Sequence, residues 1–127
     1  MGRFAFVCLG GAAGTGVRYL VGLWAARRLS TGFPYATLIV NLTGCLLISL
    51  VMHIALRVSS FSEDLRFALT TGFMGGLTTY SAFNFETWKL LDSGATGTAA
   101  ANVGITLVGC FAAGYAGLLI GRALVGS

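Results

Sequence analysis

Nine residues from Gly75 to Phe83, GGLTTYSAF, hold the densest polar and aromatic chemistry in the chain. Two glycines of poor helix propensity precede a run of β-branched and hydroxyl side chains, so a helix entering this stretch is expected to break. In hydrocarbon a break leaves N–H and C=O groups unpaired, at several kcal/mol each, unless they line a cavity or bind something. Freed carbonyl oxygens can replace the hydration shell of a cation. Tyr80 and Phe83, three apart on similar helix faces, can offer ring edges of partial positive charge to a small anion. The plainer reading is an unbroken helix whose glycines admit a neighbour and whose hydroxyls bond back to their own backbone.

Further polar groups recur where apolar ones would be expected. Asn41 has Thr37 and Ser49 nearby, and Asn102, Thr106 and Cys110 recur at i, i+4 and i+8 along one helix face. At membrane depth such groups either bond across helices or mark a pathway. Glu86 is the only acid well inside an apolar segment, whereas amide N–H and hydroxyl groups can donate to an anion. A narrow polar track of this kind suits a small, strongly hydrated anion that accepts hydrogen bonds well, a description that fits fluoride better than chloride.

The elements that must carry these residues follow from composition. The chain has 127 residues, 56% hydrophobic and 9% charged, with a mean hydropathy of +0.85, against about 25% charged in soluble domains. It reads as an all-α membrane protein, with residues 1–127 forming a single transmembrane domain of four helices. About 20 apolar residues cross a hydrocarbon core, and four stretches qualify: Phe4–Ala26, Tyr35–Leu56, Phe67–Leu91 and Thr98–Ile120. The third contains GGLTTYSAF and is expected to be broken near its middle. Pro34 suits the first turn of the second helix, Ser62 with Glu63 and Asp64 the start of the third, and Gly94 and Gly97 the last loop. The N-terminal segment reads as a retained helix rather than a cleaved signal.

Four spans place Arg3, Arg57, Arg66 and Arg122 on one side of the membrane and Arg27, Arg28 and Lys89 on the other, with Arg18 inside the first span. Orientation follows Lys/Arg asymmetry, and here there is almost none. Insertion both ways up is expected, and with it an antiparallel, dual-topology homodimer. The pairs Gly10/Gly14, Gly72/Gly76 and Gly117/Gly121 have the small-xxx-small spacing of close helix packing.

GGLTTYSAF in the third span, LIVNLTG in the second and GTGVRYL in the first together resemble the Fluc (CrcB) fluoride channels, and the resemblance extends over essentially the whole chain. It implies a fluoride-selective passive channel that exports fluoride across a bacterial-type plasma (inner) membrane, built as an antiparallel homodimer with two pores. It implies a structural sodium ion at the dimer interface, held by backbone carbonyls at Gly75 and Thr78. By the same match Asn41 would donate to fluoride, Phe83 would contribute a ring edge, and Asn102, Thr106 and Cys110 would form the polar track. Thr79, Ser81 and Glu86 fall on polar third-helix positions, and Arg18 on an aqueous vestibule. The sequence departs from the family pattern at Tyr80, where phenylalanine is more usual, and at Asn102 and Cys110, where tyrosine and serine are common.

Other classes are weaker. A four-helix proton-coupled exporter of organic cations would resemble proteins with an acid in the first span, where this chain has Arg18; Glu86 would have to be that acid, displaced. A non-transporting partner in a larger membrane assembly would use the glycine faces alone. An enzyme lacks a nucleophile, base and orienter at recognisable spacing. The net charge of +4 is spread over scattered Lys and Arg residues rather than clustered as a nucleic-acid reader requires. His53 has no ligand partner at metal spacing, and Cys8, Cys45 and Cys110 form no CxxC.

Overall fold

The computed structural model describes residues 2–126. Among these residues every regular element is helical and there is no strand. Helix α1 (Gly2–Arg28) ends on Arg27 and Arg28, whose charges complement the carboxyl end of the helix dipole. Helix α2 (Tyr35–Arg57) starts at Tyr35 as expected, with Pro34 just ahead of its first turn rather than in it. The proline is the cap itself, and its carbonyl accepts from the Leu38 amide at 3.2 Å. Helix α6 (Thr96–Val125) is the longest at 30 residues. It already contains Gly97, whereas Gly94, at φ +80°, makes the left-handed turn that closes the preceding helix. These three helices are each long and apolar enough to cross a membrane.

The segment between α2 and α6 is not one helix. Short α3 (Glu63–Phe67) is capped by Ser62, whose hydroxyl accepts from the Leu65 amide. From Ala68 to Met74 the backbone adopts π-helical spacing, and the Gly75 amide donates to both Thr70 and Gly72 carbonyls. One tight turn, α4 (Gly75–Leu77), follows. Thr78 and Thr79 then run extended, at φ/ψ of −82°/154° and −152°/107°. Helix α5 (Tyr80–Asp92) restarts with the Thr79 hydroxyl accepting from the Ala82 amide at 3.1 Å. The break therefore lies at Thr78–Thr79, and the two glycines that signalled it are helical. Gly76 serves close approach to α1, while threonine, a good N-cap, supplies the restart.

Two glycine-lined contacts organise the bundle. A Cβ on Gly14 would overlap the Phe73 carbonyl oxygen, one on Gly76 the Gly11 carbonyl oxygen, so α1 and the π-helical segment meet backbone to backbone. A Cβ on Gly117 would overlap the Leu46 carbonyl oxygen, and one on Gly121 would press on His53, which brings α6 equally close to α2. Between these contacts sits a small apolar core of Val40, Met74 and Leu77. The other buried groups include Thr37, Asn41, Thr79, Asn102 and Thr106. Large apolar side chains such as Phe4, Leu20, Trp24, Val108 and Phe111 face outward, the arrangement that lipid as solvent favours.

Candidate functional site

The site is built around the break. Asn41, on α2, meets Thr79 with both ends of its amide: Nδ2 donates to the Thr79 carbonyl at 3.2 Å, and Oδ1 accepts from the Thr79 amide at 2.8 Å. One buried side chain thus satisfies both backbone groups that leave the helix, removing a cost of about 1–3 kcal/mol for each if left unpaired. The Thr79 amide would otherwise donate to the Gly75 carbonyl, four residues back. Directed instead to Asn41, it leaves that carbonyl without its helical donor.

Beside this clasp lies a groove of ≈ 460 Å³ that brings together Asn41, Gly75, Thr78, Tyr80, Phe83, Thr106 and Cys110. No charged side chain lines it. Phe83 is buried at 7% exposure while Tyr80 is 77% exposed, so one ring belongs to the wall and the other to the mouth. Their centroids are 5.6 Å apart at an interplanar angle of 61°, an edge-to-face pair. Asn41 Nδ2 carries two hydrogens and uses one on Thr79.

The other candidates sit around the groove. Ser81 is exposed and shares a hydrogen bond with the Thr79 hydroxyl at 3.2 Å. Thr37 donates to Glu86 Oε1 at 2.8 Å, joining α2 to α5, and the second carboxyl oxygen is buried with no partner among the described residues. Asn102 is not on the groove wall: it is the most buried polar side chain, at 1% exposure, and donates to Thr87 at 2.9 Å. Thr87 in turn donates to the Phe83 carbonyl at 2.8 Å, while Thr106 reaches back to Asn102 at 3.4 Å. The ladder expected along α6 thus divides, with Thr106 and Cys110 facing the groove and Asn102 fastening α5 behind it. Arg18 is half-buried on α1 and pairs with no carboxylate among the described residues.

Three participants escaped the sequence reading. Thr87 gives little sign of itself, because its partner comes from α6. Thr70 and Thr71 enter the groove wall because the π-helical turn rotates them there. At the membrane edge, Arg3 bonds Glu63 at 2.6 Å and Asp64 at 3.0 Å, pinning α1 to α3. Hydrogen bonds from Asp64, then Glu63, raise the pKa of the Arg3 guanidinium.

Residues 5–118 match the family described as CrcB-like protein, Camphor Resistance (CrcB). A protein of Anaeromyxobacter dehalogenans named fluoride-specific ion channel FluC is 45% identical over 126 residues, covering 99% of this chain and 100% of that one. Proteins of the same name from Citrifermentans bemidjiense and Agrobacterium fabrum are 42% and 41% identical, over 98% and 96% of this chain and 100% and 98% of theirs.

Proposed function

The chain belongs to the CrcB-like family, and from that premise we propose that it is a fluoride-selective passive channel, not an enzyme, that exports fluoride across the plasma membrane. The observation that carries this reading is the uncharged groove in which the Asn41 amide, the Phe83 ring and the Thr106 hydroxyl converge on one space. Fluoride entering it must exchange water for donors held in place. The second Asn41 amide hydrogen, the Tyr80 hydroxyl and the positive ring edges supply donors without a lysine or arginine, whose full charge would hold the ion too tightly to release it. Buried Asn102 and half-buried Thr87 keep α5, and so Phe83, at its station.

The broken segment over residues 63–92 counts as one crossing beside α1, α2 and α6, which makes four. The working unit is an antiparallel homodimer. Balanced Arg and Lys residues allow both orientations, and the groove is open along a face bearing exposed Tyr80 and Phe111 that a second copy would cover. Sodium is the structural cofactor at that junction. The Gly75 carbonyl, deprived of its helical donor, and the adjoining Thr78 carbonyl fit a hard cation through oxygen. When bound it would neutralise their partial charges and fix the shape of the break. Glu86 and Ser81 bound the polar path beyond Phe83, and Arg18 attracts anions to the vestibule.

The test is efflux from liposomes loaded with fluoride, read by a fluoride electrode beside matched chloride-loaded vesicles, with an ionophore to dissipate the opposing voltage. Rapid, ionophore-dependent fluoride release with negligible chloride release is expected. Assembled protein that releases neither ion would overturn the reading.

A further inference from the structure

Away from the break, α2 and α6 hold two thiols side by side. They belong to Cys45 and Cys110. Both are free and half-buried, and both line the groove described above and a second cavity of ≈ 640 Å³ that continues along the same helix pair past Met52 and His53. The helices that carry them are close by construction. One turn beyond Cys110, a Cβ on Gly114 would stand 3.7 Å from the Cys45 carbonyl oxygen, and at Gly117 the contact is tighter still. The two residues are therefore neighbours at the junction of the two cavities, on backbones that cannot easily separate.

We propose that Cys45 and Cys110 form a two-thiolate site, contained within one chain, for a soft divalent d10 cation of the mercuric type. Thiolate sulfur selects soft ions. Among the described residues there is no group of three or more His, Cys, Asp and Glu side chains able to hold a metal, so the four-ligand cage that structural zinc requires is not available. Two neighbouring thiols supply the two ligands that linear coordination needs. Charge favours a divalent ion: two S–H bonds break, two metal–sulfur bonds form, two protons leave to water and no electron moves, so the product is neutral. A monovalent soft ion would leave a net negative charge in apolar surroundings, which is costly. The bridge would clamp α2 to α6 beside Thr106 and narrow the groove from one wall. The site needs no residue from a second copy and does not depend on which ion the groove conducts.

The full chain carrying Cys8→Ser, which leaves these two thiols, is titrated in detergent with mercuric chloride. Native mass, thiolate-to-metal absorbance and remaining free thiol are followed together. One equivalent is expected to remove both thiols and add one metal per chain. Adding Cys45→Ser, or separately Cys110→Ser, should weaken retention against a monothiol competitor about 100-fold, because the second bond is then no longer intramolecular. Uptake of two equivalents, one per thiol, would overturn the proposal, as would single-cysteine variants that elute as the parent does and retain the metal equally well.

Discussion

The two halves of the segment between α2 and α6 are held by opposite means. Before the break, residues 68–77 lie against α1 through Gly72 and Gly76 facing Gly10, Gly11 and Gly14, with backbone meeting backbone and no side-chain hydrogen bond between them among the described residues. After it, α5 is tied by side-chain hydrogen bonds: to α2 through Thr37 and Glu86, and to α6 through Asn102 and Thr87. In lipid, where apolar burial drives no association between helices, these are the two available kinds of adhesion. Dispersion between close backbones makes a rigid half that fixes where the break begins. A polar network makes a half whose position depends on a few named groups, and that half carries Phe83.

The sharpest way to break this contrast is to add bulk on the glycine side. Gly76→Val would drive side-chain atoms into the Gly11 carbonyl and Thr15, and a loss of about 3 kcal/mol of stability is expected, seen as failure to elute as a monodisperse species. Gly75→Val is the control, because a Cβ there meets nothing within 4 Å among the described residues. It should leave the subunit folded, and any severe effect should appear as lost assembly or lost sodium dependence, locating the cause between copies.

Asn41→Leu comes next. It strands the Thr79 amide and carbonyl, at about 1–3 kcal/mol each, and removes a donor from the groove. Fluoride efflux should fall to the vesicle leak; efflux at the parental rate would dissociate the clasp from permeation. On the polar side, Asn102→Ala unties α5 from α6, and about 1 kcal/mol is expected, read as a lower midpoint in thermal aggregation with a slower flux. If the loss matched that of Gly76→Val, the two halves would not differ in kind. The smallest effect belongs to Tyr80→Phe at the exposed mouth: preference for fluoride over chloride should persist, and a gain of ready chloride flux would remove this ring from the site.

Much of this was legible beforehand because lipid imposes strong rules. Composition alone requires helices, and the glycine spacings mark the faces that meet. Asn41 stood out as an amide in an apolar run. What misled was local signal. Gly75 and Gly76 announce a break by propensity, yet both are helical: Gly76 packs against α1 through its missing side chain, and the nearby α2 amide makes Thr78–Thr79 the cheaper place to open the chain. Asn102 shares a helix face with Thr106 by spacing, yet it turns to Thr87, a partner 15 residues away.

By itself, then, the sequence determined the solvent, the helical class, the absence of an orienting charge bias and the short list of groups able to meet an anion, since each follows from residue types and periods of a few residues. Only the tertiary structure decided where the third segment opens, how its register shifts through the π-helical turn, and which polar groups face the groove rather than fasten it. Those outcomes depend on pairings as distant as Asn41 with Thr79, 38 residues apart, and a hydrogen bond between helices leaves no trace in the local pattern of either.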